Sequence, residues 1–118
     1  MNSRDMSYDL YITQGDKWRD QFHIKYVDGT TVSLADVTVR FVAGLLSDTT
    51  ATPVLDFGVD DGKIVTSNTR PNVTFAVPST DTEVVSPGVY DYQLKTYEDD
   101  EPLTVLYGRL HVRGDVSR

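Results

Sequence analysis

The sequence predicts an all-β sandwich of about 7–9 short strands with at most one short helical turn. Apolar and polar residues alternate with a period of two along most of the chain, which is typical of strands with one buried face. Turn-forming residues separate these runs roughly every 8–12 positions. Only one stretch carries a signal for the start of a helix. Together these observations favour two packed sheets over a helical bundle.

Alternation is clearest between Trp18 and Tyr26, where apolar side chains take every second position and Asp20 is the only interruption. A second run, from Val37 to Leu45, places five apolar side chains on one face of a strand. Shorter runs of the same kind give the remaining elements. The predicted strands span residues 8–13, 18–26, 37–45, 54–57, 63–66, 73–77, 89–97 and 103–112.

Glycine marks the predicted turns. The pair Asp28-Gly29 predicts a tight turn, because glycine tolerates the positive φ that such turns require. Residues 60–62, Asp-Asp-Gly, separate two further strands. The one helical signal is the capping-box spacing of Thr80 and Glu83. Since a proline-glycine pair soon follows, we expect no more than a turn or two of helix there.

Length and charge limit the number of domains and the kinds of partner. A chain of 118 residues predicts a single β-sandwich domain over residues 1–118, with an N-terminal arm at 1–7 and a C-terminal tail at 115–118. The net charge of -7 disfavours nucleic acid and anionic membranes, because binding to phosphates requires a basic surface. No stretch approaches the ~18 apolar residues of a membrane span. We therefore expect neither nucleic acid nor a membrane as a partner.

Residues that usually carry catalysis are sparse. The absence of cysteine excludes disulfides and thiolate metal sites. The sequence contains neither a Gly-x-Ser-x-Gly nucleophile motif nor a phosphate-binding glycine loop. We therefore predict a protein that is not an enzyme and that needs no cofactor and no metal. The two histidines, His23 and His111, face outward on predicted strands and would bind a metal only if the fold paired them.

Acidic residues cluster at 98–101, Glu-Asp-Asp-Glu, between two strongly predicted strands. The position favours a solvated hairpin tip. A contact with a metal or with a basic partner is the alternative, because oxygen-rich loops bind calcium. The same two interpretations apply to Asp56, Asp60 and Asp61.

Tyrosines supply the candidate functional surface. Of the seven tyrosines, Tyr11, Tyr97 and Tyr107 alternate out of phase with their apolar neighbours, which places them partly in solvent. Together with Tyr8 they form the predicted interface, since tyrosine combines a large apolar body with a polar tip and is enriched at interfaces. The alternative interpretation is that these residues are ordinary aromatic side chains of a sheet.

Six short motifs, taken in order, give the chain a resemblance to a known family. They are ITQGDKW at 12–18, DGT at 28–30, SLADV at 33–37, VRF at 39–41, GVYDYQL at 88–94 and LYGRLHV at 106–112. In this order they resemble small immunoglobulin-like structural domains of bacteriophages, such as the N-terminal domain of phage baseplate upper proteins. The resemblance covers nearly the whole chain from Tyr8 onward.

The resemblance implies an immunoglobulin-like antiparallel β-sandwich in a virion. In that setting the protein would bind other particle proteins, as a tail, baseplate or adaptor component or as a head decoration protein. We expect it to form a homo-oligomer in the assembled particle, after synthesis in the host cytoplasm. The rival hypothesis is a carbohydrate-binding or host-adhesion module, in which exposed tyrosine and tryptophan rings would stack on sugars.

Overall fold

The computed structural model describes residues 7–25, 28–34, 37–45, 52–69 and 71–114. Eight strands within these ranges form two sheets, so the predicted all-β, two-sheet architecture is confirmed. The strands are β1 (Leu10–Thr13), β2 (Gln21–Phe22), β3 (Thr38–Gly44), β4 (Leu55–Gly58), β5 (Ile64–Thr66), β6 (Val73–Phe75), β7 (Gly88–Glu98) and β8 (Glu101–Arg113).

One sheet has five strands in the order β1-β8-β7-β3-β4, and the other has three in the order β2-β6-β5. Neighbouring strands run antiparallel except β1 and β8, which pair in parallel with Leu10 beside Leu110 and Thr13 beside Arg113. The antiparallel pairing that the resemblance implies is therefore found at every described strand pair except this one. Parallel partners cannot be joined by a tight turn, and here the other six strands lie between them along the chain.

The core lies between the sheets and is rich in aromatic rings. The single tryptophan, Trp18, is 4% exposed and meets Phe41, Phe57 and Phe75 edge-on, at centroid distances of 5.3, 5.9 and 5.1 Å. Phe41 also stacks on Tyr92 at 5.3 Å. Edge-on and offset arrangements are the favourable ones for aromatic pairs. Because these rings come from both sheets, the cluster holds the sheets together.

The strand predicted at 37–45 is β3. Val39, Phe41 and Ala43 are fully buried, as their spacing predicts. Leu45 is 58% exposed, so its predicted position on the buried face is wrong. The reason is that β3 ends at Gly44, and side chains alternate between faces only within a strand.

The strand predicted at 18–26 is broken. Its pieces are the isolated Trp18–Val77 pairing, the two residues of β2 and the isolated Lys25–Thr31 pairing. The predicted inward face is nevertheless correct for Trp18 and Ile24, which are buried. Tyr26, which was predicted on the same face, lies outside the described residues.

Asn72 holds the broken segment to the smaller sheet. Its side chain is fully buried, and its Oδ1 atom accepts a hydrogen bond of 2.8 Å from the Ile24 amide. Its Nδ2 group donates to the carbonyls of Ile24 at 2.8 Å and Val32 at 2.9 Å. One side chain thus pairs with both backbone groups of Ile24, as a neighbouring strand would. The chain can therefore leave regular pairing without leaving these backbone groups unpaired.

A single α-helical turn, α1 (Ser79–Thr82), lies where the sequence predicts it. Thr80 lies inside this turn and does not cap it, so the predicted capping box of Thr80 and Glu83 is wrong. The hydroxyl of Thr82 instead donates to the carbonyl of Asp16 at 2.6 Å. This contact ties α1 to the chain that follows β1.

Two turns form at the glycines that predict them. Gly29 has a φ of 92°, and the Asp28 carboxylate accepts a hydrogen bond of 2.9 Å from the Thr30 amide. Residues Val59–Asp61 form a 3-10 turn that ends at Gly62, with a φ of 82°. This turn is a second short helical segment, one more than predicted. In both places glycine supplies a left-handed backbone at little cost.

The N-terminal segment joins the larger sheet before β1 begins. Ser7, which the prediction assigned to the arm, pairs with Tyr107, and residues 1–6 and 115–118 lie outside the described residues. The Tyr8 amide donates to the Tyr107 carbonyl at 2.9 Å. The buried Tyr92 hydroxyl donates to the Tyr8 carbonyl. Tyr92 therefore fastens the start of the chain to the sheet.

Removing the Tyr92 hydroxyl in Tyr92→Phe is expected to lower the free energy of unfolding by about 1 kcal/mol, because the Tyr8 carbonyl loses its partner. Burial raises the pKa of Tyr92 above its ordinary value, and the charge of Asp9 adds to this effect. The native state therefore keeps a proton that the unfolded state loses, so wild-type stability falls as the pH rises above about 10. Urea unfolding followed by Trp18 fluorescence at neutral and alkaline pH measures both effects. If the free energy of unfolding fell as much at alkaline pH in Tyr92→Phe as in the wild type, this role for Tyr92 would be contradicted.

Candidate functional site

An aromatic pair lies on the outer face of the five-stranded sheet. The parallel pairing of β1 with β8 sets Tyr11 beside His111. Their rings stack with centroids 4.5 Å apart and planes 13° apart. Because Tyr11 is 70% exposed, the stack presents a broad ring surface to solvent. A flat surface of this kind can pack against an apolar group of a partner protein or against a sugar ring.

Asp9 fixes the position of His111. The Oδ2 atom of Asp9 lies 3.1 Å from Nε2 of His111, and Oδ1 accepts a hydrogen bond of 3.3 Å from the Arg109 amide. The hydrogen bond with His111 holds the pKa of the Asp9 carboxyl below its ordinary value. The carboxylate is therefore ionised at neutral pH and holds the imidazole against Tyr11.

Two further side chains extend the surface. Val89 lies beside His111 in the register of β7 and β8 and is 52% exposed. Tyr107 lies on the same side of β8 as His111 and is 42% exposed. Tyr11, Val89, Tyr107 and His111 together are called the aromatic face below.

The charges around the aromatic face nearly cancel. The outward positions of the five-stranded sheet, with the adjoining Asp9, hold four basic and three acidic residues, which are Arg40, Lys95, Arg109, Arg113, Asp9, Asp56 and Asp91. The whole chain carries a net charge of -7. The outer face of this sheet is thus nearly neutral on an acidic protein. Another surface can dock there with little long-range repulsion.

The predicted interface tyrosines separate into three places. Tyr11 and Tyr107 belong to the aromatic face. Tyr8 lies on the other side of the chain from Tyr11 and lines a cleft of about 350 Å³ with Phe22, His23 and Leu106, among other residues. Tyr97 is half-buried and stands eight residues along β7 from Val89, or about 26 Å. The fold therefore brings two of the four predicted residues together.

Three carboxylates that the sequence analysis singled out serve the fold. Asp56 and Asp60 pair with Arg40 at 2.7 and 3.1 Å. Asp61 accepts hydrogen bonds from the amides of Gly58 at 3.2 Å and Lys63 at 3.1 Å. These contacts favour the structural interpretation of all three residues.

Residues 98–101 form the tip of the β7–β8 hairpin, with Asp99 and Asp100 at φ values of 52° and 65°. His23 lies beside the smaller sheet, where its Nε2 atom is 2.7 Å from the Thr31 hydroxyl, and it does not meet His111. Within the described ranges, no three His, Cys, Asp or Glu side chains are grouped to hold a metal ion.

The sequence analysis missed the residues that complete the aromatic face. It placed His111 outward but gave no reason to set it against Tyr11, because the two are 100 positions apart. Val89 was assigned to a strand without a functional role. The alternation of β7 does carry a signal, since Val89 is out of phase with Tyr90 and Tyr92. Asp9 has no comparable signal.

Comparison with known proteins finds no matching family model and no matching curated protein. In the part of the chain that the structure describes, no helix is both long enough and apolar enough to cross a membrane.

Proposed function

We propose that this chain is a non-catalytic structural protein of a bacteriophage virion, and that it docks onto other particle proteins through the aromatic face. The observation that carries the proposal is a cluster of exposed rings on a nearly neutral sheet of an acidic protein. The resemblance to phage structural domains supplies the virion setting. In the assembled particle the protein is a homo-oligomer bound to tail, baseplate or capsid proteins.

An immunoglobulin-like topology is part of this proposal, and the strand order supports it. In a variable-type immunoglobulin domain, strands C′, C, F and G lie in one sheet and strands B, E and D in the other. The orders β4-β3-β7-β8 and β2-β6-β5 match these arrangements when the strands are lettered along the chain.

The start of β7 supports the same topology. An immunoglobulin tyrosine corner is a tyrosine near the start of strand F whose hydroxyl bonds to the backbone a few residues upstream, two residues before a core cysteine. The Tyr90 hydroxyl donates to the Ser86 carbonyl at 2.6 Å. Tyr92, two residues later, is 1% exposed and takes the place of that cysteine. Because the chain has no cysteine, the two sheets are held together by the packed aromatic cluster around Trp18 instead of by an inter-sheet disulfide.

The composition of the outer sheet face supports docking to a protein. Tyrosine and arginine are enriched among the residues that dominate binding energy at interfaces. Here Arg109 and Arg113 lie on the same side of β8 as Tyr107, and Arg113 pairs with Thr13, two residues from Tyr11. A partner with exposed apolar groups at its centre and mixed charges at its rim would match this surface.

The double variant Tyr11→Ala/Tyr107→Ala is expected to reduce incorporation into particles by at least about tenfold, since losing two anchor rings removes more than about 1.4 kcal/mol of binding. The measurement is the number of copies per purified particle, by quantitative mass spectrometry, when the variant replaces the wild-type chain. Val65→Ala and Val84→Ala are matched controls, because both valines are exposed but lie outside the aromatic face. Absence of the wild-type protein from particles would refute the virion role, and unchanged incorporation of the double variant would refute the docking face.

A second function, carbohydrate binding, is favoured by the stacked pair of Tyr11 and His111. An exposed planar ring can stack on the apolar face of a sugar. This function predicts glycan binding by the isolated wild-type chain and its loss in Tyr11→Ala, measured on a glycan array. A flat array with the wild-type protein would eliminate it.

A further inference from the structure

We propose that copies of this chain associate head to tail, with the acidic tip of the β7–β8 hairpin of one copy entering a basic cleft at the opposite end of the larger sheet of the next. The inference goes beyond the proposed docking function, because it concerns contacts between the two ends of the larger sheet; Tyr11 of the aromatic face also lines the cleft. The occupant of the cleft is a second copy of the chain.

The cleft lies between edge strand β1 and the segment that follows it. It has a volume of about 360 Å³ and is lined by three basic side chains, Lys17, Arg19 and Arg113. None of the three forms an ion pair with another described residue. At roughly 30 Å³ per water molecule, the cleft has room for about a dozen waters. The side chains of a hairpin tip would fill this space.

Two acidic residues also line the cleft. The Asp20 carboxylate already accepts a hydrogen bond of 2.7 Å from the Trp18 indole. Asp16 is exposed. The charge of the lining, three basic against two acidic residues, is therefore positive, whereas the chain as a whole is at -7. Such a site favours an anionic occupant over a neutral one.

The hairpin tip has the complementary charge. Its four consecutive acidic residues, 98–101, are all exposed. None of their carboxylates forms an ion pair with another described residue. The two central residues, Asp99 and Asp100, have the positive φ values of a tight two-residue hairpin turn. The tip is therefore narrow and projects its charges away from the sheet.

The two surfaces cannot meet within one molecule. Strand β8 runs from Glu101 at the tip to Arg113 at the cleft, a distance of about 40 Å at 3.3 Å per residue. The longest dimension of the chain is 45 Å. Because the surfaces differ and lie at opposite ends, each copy would offer a free tip and a free cleft. Contacts of this heterologous kind generate closed rings or open filaments.

Charge reversal at each end separately tests the proposal. The wild-type chain is expected to at least double its weight-average mass with rising concentration at low ionic strength, measured by sedimentation equilibrium. Glu98→Lys/Asp99→Asn/Asp100→Asn/Glu101→Lys alone, with two lysines and no carboxylate at the tip, and Lys17→Glu alone, with two basic and three acidic residues in the cleft lining, should stay monomeric, since tip and cleft then carry like charges. An equimolar mixture of the two variants should associate again, because each tip then meets a cleft of opposite charge. About 1 M salt should dissociate every assembly, since it shortens the screening length to about 3 Å.

Lys25→Glu reverses an exposed charge that belongs to neither surface and should leave association unchanged. Trp18 fluorescence checks that each variant is folded, and Glu98→Gln/Asp99→Asn/Asp100→Asn/Glu101→Gln, whose tip is neutral, replaces the lysine variant in the test for loss of association if that variant does not fold. A wild-type chain that is monomeric at about 1 mM, or a mixture that fails to associate, would overturn the proposal. None of these variants changes a residue of the aromatic face. Loss of incorporation into particles would therefore contradict the proposed docking function, whereas unchanged self-association of the variants would contradict only the head-to-tail contact.

Discussion

Asn72→Leu is expected to lower the free energy of unfolding by about 3–5 kcal/mol, one of the two largest effects we expect of a single substitution in this chain. The leucine side chain is similar in size but can neither donate nor accept a hydrogen bond. The amide of Ile24 and the carbonyl of Val32 would therefore lose their partners, and the carbonyl of Ile24 would keep only its hydrogen bond of 3.1 Å from the Val32 amide. Each unpaired buried group costs about 1–3 kcal/mol.

Asn68→Leu is the matched control for this substitution. Asn68 is exposed, and its Oδ1 atom accepts a single hydrogen bond of 2.8 Å, from the Ser33 hydroxyl. Loss of this hydrogen bond in Asn68→Leu should change the free energy of unfolding by no more than about 0.5 kcal/mol, as is usual for a surface position. Urea unfolding with Trp18 fluorescence compares the two variants. Equal stabilities would show that Asn72 does not hold the segment around Ile24.

The role of Asn72 also explains why the extent of the strand predicted at 18–26 could not be obtained from the sequence. Alternation predicts the buried faces of β3, of β7 and of β8 from Leu106 onward, because side chains there obey a local rule within an unbroken strand. The run from 18 to 26 has the same alternation, yet its pairing is supplied partly by an amide side chain 48 positions away. No local pattern contains that contact. The direction in which residues face was therefore predictable there, whereas the extent of the strand was not.

For the candidate site, too, the sequence predicts the direction of single side chains but not the contacts between distant strands. The outward direction of Tyr11 and Tyr107 follows from alternation within their own strands. Tyr8 shares its phase with the buried Leu10, so the sequence already held the signal that it faces away from Tyr11. The stacking of Tyr11 on His111 requires the parallel pairing of β1 with β8. Pairing of strands this far apart depends on the whole fold, and alternation cannot predict it.

Gly108→Ala is expected to destabilise the protein by about 2 kcal/mol more than Gly88→Ala does. The two glycines have nearly the same φ, 155° and 156°, so both variants bear a similar backbone cost, of order 1–3 kcal/mol. A Cβ atom at Gly88 would have no neighbour closer than 3.9 Å. At Gly108 it would lie 2.4 Å from the Tyr8 carbonyl oxygen. The difference between the variants therefore isolates the close approach of the N-terminal segment to β8.

The segment must move to accommodate this Cβ atom, because the atom that it meets belongs to the backbone. Movement of Tyr8 breaks its hydrogen bond with Tyr92 and lifts β1, which exposes Leu10 and Ile12. Fully exposing one such side chain costs about 1.5–3 kcal/mol. Hydrogen exchange should therefore show faster exchange at the β1 amides in Gly108→Ala than in Gly88→Ala, while β3 stays protected. Equal exchange in β1 would mean that this glycine is not required for docking the first strand. Since the Tyr11 side of the aromatic face depends on that docking, the proposed virion role predicts that Gly108→Ala also weakens incorporation into particles, although it changes no residue of the face.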